Sequence, residues 1–196
     1  MSDKPSYLGL LNAIAVGESR AHTYLSAWIK TTTDPDVKAV LCTVAAREGE
    51  HGMAFAKRVN ELGYEVRDKE DSNFDKQLKI VTSGRTDLEK MEKLRLGRLD
   101  VGNGPDVFDD VFKDHSIDIR TGELLGRYIA EERDSARLLR CCYEQLSARC
   151  AAESEATQAA APDRLATLEV KLDAVCGAID ELRQAVVSRQ KVPARS

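Results

Sequence analysis

Glu48 and His51 stand three residues apart in the stretch DPDVKAVLCTVAAREGEHGMAFAKRVNELG, residues 34–63. At that spacing a carboxylate and an imidazole project from the same side of an α-helix. Such a pair can place a Glu oxygen and a His nitrogen on one cation, or on two adjacent ones. The ordinary alternative is that the two side chains bond each other, or water, at the edge of a bundle. The choice turns on burial. Val37, Val40, Leu41, Val44, Phe55, Val59 and Leu62 recur at three- and four-residue spacing, and Glu48 and His51 continue their stripe. A carboxylate on a buried face needs a partner that offsets its desolvation, and a metal ion is one such partner.

The element that carries this pair has a start and a stop. Asp34 can act as N-cap, Pro35 suits the first helical position, and Asp36 adds negative charge near the positive end of the dipole. Leu62-Gly63 is an exit, because glycine takes the left-handed conformation at little cost.

An earlier helix is expected from Ser6, as its cap, to about Lys30. Its stripe is Leu8, Leu11, Ala15, Glu18, His22, Leu25 and Ile29. Glu18 is again a carboxylate among apolar residues; the ordinary reading pairs it with Arg20 or His22 at an exposed flank. His22 reads as a half-exposed surface histidine. Thr31-Thr32-Thr33 leaves room only for a short turn, so the two helices must be antiparallel neighbours. Glu18 lies about 12 residues before the turn and Glu48 about 13 residues into the next helix, so at the regular helical rise both carboxylates reach about the same height.

Residues 64–73 read as a polar loop. Phe74, Leu78 and Val81 mark a short helix ending near Ser83-Gly84, and Thr86-Asp87-Leu88-Glu89 is a capping-box pattern opening another, through Leu99. Glu92 is the acidic residue of this third region that could face inward. The breaker Asp100–Pro105 and an apolar patch of Phe108, Val111 and Phe112 follow. A last helix is expected from Asp118 or Thr121 to about Cys150, with Leu125, Tyr128, Glu132, Ser135, Leu139 and Cys142 on one stripe. Glu131 falls on a flanking face with Arg127 and Asp134. Glu132 is therefore the buried-carboxylate candidate, unless Arg133 or Arg137 pairs with it. Tyr128, one turn earlier, reads as a core aromatic with a wet hydroxyl or as a hydrogen-bonding or radical partner of the site. Tyr24, six residues after Glu18, is expected to point off that face.

Residues 151–163 are Ala-rich and lack apolar anchors, which reads as a linker, in part helical. From Leu165 the apolar residues Leu168, Leu172, Val175, Ile179, Leu182 and Val186 alternate at three and four. Over 164–190 this is a coiled-coil seam, expected to make the chain a homo-oligomer through residues 165–186. The alternative is a helix packed on its own domain. Residues 191–196 read as a disordered tail. The expected organisation is a 1–150 helical bundle, the linker, and the coiled-coil helix.

Across its 196 residues the chain is 32% charged, with formal charge −4 and mean hydropathy −0.38. No Lys/Arg-rich run points to nucleic acid, and no apolar run approaches the roughly 18 residues of a membrane span. The five cysteines, Cys42, Cys141, Cys142, Cys150 and Cys176, include no C-x-x-C pair, and a Cys141-Cys142 disulfide would be strained. Reduced thiols and a cytoplasmic location are expected.

Gly17-Glu18-Ser19 on the first helix, Glu48-Gly49-Glu50-His51 on the second and the placement of Glu132 on the last resemble the ferritin-like superfamily, its rubrerythrin branch in particular. The resemblance covers roughly residues 6–150 and is specific over the first hairpin. It implies an all-α, up-down four-helix bundle whose core holds metal, usually two iron ions, for peroxide or oxygen reduction, ferrous-iron oxidation or oxygenation of small substrates. It would make Glu18 a terminal or bridging ligand, Glu48 a bridge, His51 a nitrogen ligand and Glu132 the carboxylate of the last helix. The chain departs from the pattern: three residues after Glu132 stands Ser135, not a second histidine, and no third-helix carboxylate is placed, Glu92 being the only guess. The cysteine pairs of a rubredoxin-like electron relay are also absent. Three readings follow: a one- or two-metal iron or other divalent-metal site active on peroxide or oxygen; a site shared between two chains; or a degenerate metal-free scaffold or partner-binding oligomer.

Overall fold

The computed structural model describes residues 4–99 and 113–190, the second stretch without the side chains of 159–165 and 183–190. Among these residues the chain is all-α, with helices α1 (Leu8–Ile29), α2 (Pro35–Glu61), α3 (Ser72–Val81), α4 (Asp87–Lys93) and α5 (Ile119–Gln190), and a 3-10 turn at Leu96–Arg98. No strand occurs among them, and no helix is long and apolar enough to cross a membrane. The chain forms two compact units, Met1–Ser147 and Ala148–Ser196.

The ends of α2 follow the local chemistry. Asp34 accepts the amides of Asp36 at 2.9 Å and Val37 at 3.1 Å, with Pro35 at the first helical position. At the exit Gly63 takes φ +82°, and the amides of Gly63 and Tyr64 return to the carbonyls of Asn60 and Val59, a left-handed glycine stop. α1 departs from expectation at its start. Ser6 does not cap it: its hydroxyl donates to Asp114 at 2.7 Å and sits 3.1 Å from Ser116, fastening the chain to the segment that leads into α5.

α1 and α2 pack antiparallel. Two glycines on α2 let them come close. A Cβ at Gly49 would lie 2.9 Å from His22 Nδ1, and one at Gly52 would lie 2.6 Å from Ser19 Oγ and 3.0 Å from the Ser19 amide nitrogen. The start of α5 runs antiparallel to α2: Arg58 meets Thr121, His51 meets Glu131 and Arg47 meets Ser135. Relative to α1 it is parallel, since Tyr7 reaches Asp118 and Glu18 reaches Tyr128. Leu11, Ile14, Phe55, Val59, Leu125 and Ile129 fill the core between the three.

Both ends of this assembly are pinned by charged side chains. At one, Asp118 caps α5 by accepting the Thr121 amide at 3.1 Å and hydroxyl at 2.7 Å, and it also accepts from Tyr7 at 2.9 Å and Arg58 at 2.8 Å. At the other, Asp87 accepts from the Trp28 indole and from Thr32, each at 2.6 Å, while fully buried Lys90 donates to Thr31 at 3.1 Å. These contacts dock α4 beneath the α1–α2 turn. Thr86 and Glu89 form the expected capping box. The helix stops at Lys93 rather than reaching Leu99, because the chain turns through a left-handed Arg95. The breaker at 100–105 and the patch at Phe108, Val111 and Phe112 lie outside the described residues.

α5 is helical through 151–163, the stretch read as a linker in part helical. Alanine is the best helix former, so an Ala-rich stretch needs no tertiary anchor to stay helical. In the second unit Leu168, Leu172, Val175, Ile179 and Leu182 are 52–66% exposed. The side chains of Leu165 and Val186, the outer positions of the expected seam, are outside the description, as are residues 191–196. None of the five cysteines is in a disulfide.

Candidate metal centre

Glu18, Glu48, His51 and Glu132 come together between α1, α2 and α5, each offering a ligand atom within 4.8 Å of every other. The first three are buried, at 8%, 6% and 4% exposed, and Glu132 is half-buried. Three helices therefore deliver three carboxylates and one imidazole to a place with little water. The short turn sets the matching height of Glu18 and Glu48, and the glycines opposite Ser19 and His22 set their closeness. The ordinary partner for Glu18 is engaged elsewhere: Arg20 bonds Asp71 at 2.9 Å, Asp68 at 2.5 Å and the Lys69 carbonyl. Arg137, one of the two ordinary partners for Glu132, pairs with Asp134 at 3.2 Å.

Glu18 Oε2, His51 Nδ1 and Glu132 Oε1 are buried and lack a hydrogen-bond partner. Leaving such atoms unpaired costs about 1–3 kcal/mol each, more for charged groups, so three in one cluster call for a common partner. His51 Nδ1 lies 3.5 Å from Glu132 Oε1, beyond a normal N–H···O bond. The cluster also holds protons unusually tightly. Burial, the closeness of Glu18 and the charge of Glu132 all push the Glu48 carboxyl far above its ordinary range. Burial alone would lower the His51 pKa, but the carboxylates of Glu132 and Glu131 outweigh it, and the net shift is upward.

The outer residues hold these side chains in place. His51 Nε2 is 2.7 Å from Glu131 Oε2, and Glu131 accepts from Arg127 at 2.9 Å. Burial raises the Glu131 pKa, but the bonds from His51 and Arg127 more than reverse this, so Glu131 is the acceptor and Nε2 carries the proton. With a metal ion in the cluster, the neutral imidazole would turn its Nδ1 lone pair to the ion beside the carboxylates. Tyr128 donates to Glu18 Oε1 at 2.9 Å and packs edge-on against His51, with ring centroids 5.0 Å apart.

Two assignments, Glu131 and Glu92, differ from the sequence reading. Glu131, placed on a flanking face, is the residue that orients His51. Glu131 and Glu132 are adjacent on α5 and straddle the line of α2, so each reaches a different nitrogen of one ring. Tyr24 is half-buried, and burial, then the charges of Glu48, Glu18 and Glu132, raise its pKa. Glu92 is exposed and contributes nothing to the cluster, whereas His22 lies at the surface as read, its Nδ1 2.7 Å from the Ala45 carbonyl. The alternation of period three and four could not have singled out Glu131 or Tyr24, since both lie off the apolar stripe.

Comparison with family models, with curated proteins and with solved structures gave no match.

Proposed function

We propose that the chain is a ferritin-like metal-binding protein whose Glu18, Glu48, His51 and Glu132 hold a redox-active divalent metal, iron being the metal this donor set suits in that setting. The observation that carries the reading is the convergence of three buried, unpaired ligand atoms from three different helices. A cation satisfies all three at once and offsets the repulsion among the carboxylates. Oxygen and imidazole donors suit iron, manganese or zinc more than a soft metal. When bound, iron supplies Lewis acidity and a redox couple suited to peroxide, oxygen or ferrous-iron chemistry. The protein's own part is positional. Glu131 fixes the His51 tautomer, Tyr128 anchors one Glu18 oxygen, and Phe55 and Leu125 keep water from the core side.

Because one chain brings all four ligand atoms together, the intrachain site is favoured over one shared between two chains. The metal-free scaffold is disfavoured because it leaves those buried atoms without partners. Assembly is a separate property of the second unit. The apolar stripe Leu168–Leu172–Val175–Ile179–Leu182 is open to solvent in the single chain and has the spacing of a coiled-coil seam, so residues 165–186 serve homo-oligomerisation.

The test is elemental analysis of protein purified after iron supplementation, beside a Glu48→Ala, His51→Ala variant. Metal in the parent that is lost in the variant is expected; no metal in either refutes the site. Truncation after Cys150 tests the assembly role by light scattering, and an unchanged oligomeric state removes it.

A further inference from the structure

We infer that the site is built for one divalent cation per chain, with Arg47 occupying the ground of a second. The inference rests on the metal-site reading above and extends it to stoichiometry. A two-metal bundle site draws an inward Glu from each of two helices and a Glu-x-x-His pair from each of two more. Here α1 supplies Glu18 and α2 supplies the complete pair Glu48 and His51. α5 supplies Glu132 alone, and the described part of the third region supplies nothing, since Glu92 is exposed. The four ligands among the described residues suffice for one divalent ion and leave a second short.

The place from which the missing ligand would project is filled. Ser135 is three residues after Glu132, on the same face and 3% exposed. Its hydroxyl accepts from Arg47 Nη1 at 3.3 Å. The same guanidinium is clamped by Asp134 at 2.7 Å, which Arg137 also holds at 3.2 Å. Arg47 is thus a fixed positive charge, next in the chain to Glu48 and acting on its carboxyl. A second cation beside Ser135 would meet like charge instead of an imidazole. The residues that depart from the two-metal pattern therefore form a connected alternative, with a guanidinium as the resident cation on that side. Arginine suits this role because it keeps its charge at any physiological pH and reaches two acceptors at once.

The experiment is titration of Mn²⁺ into the metal-stripped, full-length chain, read by equilibrium dialysis with elemental analysis and by electron paramagnetic resonance. One equivalent per chain, with the spectrum of an isolated ion at saturation, is expected. An Arg47→Ala, Ser135→His variant should take up a second equivalent and show an exchange-coupled pair. Two equivalents in the parent chain overturn the inference while leaving the metal site standing, and half an equivalent overturns it in favour of a shared site. A folded variant that still binds only one equivalent overturns the role given to Arg47 and Ser135. No Mn²⁺ bound by the parent removes the metal-site reading itself. The parent's stoichiometry decides the main point even where the variant fails to fold, as overfilling at buried Ser135 can cause.

Discussion

Gly52→Ala on α2 should destabilise the protein, whereas Gly17→Ala on α1 should stabilise it, although both replace a helical glycine with the best helix former. A methyl at Gly52 would lie 2.6 Å from Ser19 Oγ, 3.0 Å from the Ser19 amide nitrogen and 3.3 Å from its Cα. The hydroxyl cannot simply swing aside, because it donates to the Ala15 carbonyl at 2.7 Å, and the backbone atoms cannot yield without moving α1. Overpacking of this kind costs typically 1–3 kcal/mol, and immovable backbone places the site near the upper value. The gain in helix propensity returns about 1 kcal/mol. The net loss is about 2 kcal/mol. At Gly17 no atom lies within 4 Å of the added Cβ, so only the propensity gain of up to about 1 kcal/mol remains. For a unit of this size each kcal/mol moves Tm by about 2–4 °C. Gly52→Ala should therefore melt about 4–8 °C lower, and Gly17→Ala about 2–4 °C higher, by calorimetry at neutral pH. Parting the helices also separates Glu18 from Glu48 and His51, so metal affinity should fall in Gly52→Ala and hold in Gly17→Ala. Equal or like-signed Tm shifts in the two variants would show that close approach of α1 and α2 at Ser19 does not build the site.

Glu131→Gln keeps a side chain of the same shape but weakens its acceptance from His51, and loss of such an outer partner lowers metal affinity by about 10- to 100-fold; competition with a chromogenic chelator measures it, and unchanged affinity would remove Glu131 from the site. Tyr128→Phe strips the donor from Glu18 Oε1, leaving another buried acceptor unpaired, and should lower the urea midpoint by the equivalent of about 1–2 kcal/mol. The Asp118 carboxyl is pushed up by burial, but its bonds from Thr121, Tyr7 and Arg58 outweigh that and hold it well below the ordinary carboxylate range. A depressed folded-state pKa gives stability that is present above the unfolded value of about 3.9 and fades as pH falls below it. Asp118→Asn should therefore be about 1–2 kcal/mol less stable at pH 7, discounted for a side chain 40% exposed. Its gap from the parent should close on acidification in urea titrations; a gap that persists at low pH would place the effect in packing.

Local chemistry decided which stretches are helical. Asp34, Pro35 and Gly63 bound α2 through bonds made within a few residues, and the repeat of apolar residues names its buried face without reference to anything else. The same arithmetic made Glu48 and His51 neighbours, and the three-residue turn made Glu18 level with them, because both depend only on helical rise and loop length. Tertiary packing decided the rest. The rotation of α5 against α2 is set by core residues distant in sequence, and it alone determines that Glu132 faces the cluster while Glu131 takes the far nitrogen of His51. It likewise brings Arg47 to Ser135, across 88 positions of chain. No periodicity encodes the angle between two helices. The sequence therefore establishes which side chains can share a face, and the packing establishes which of them meet, what holds them and how close they stand.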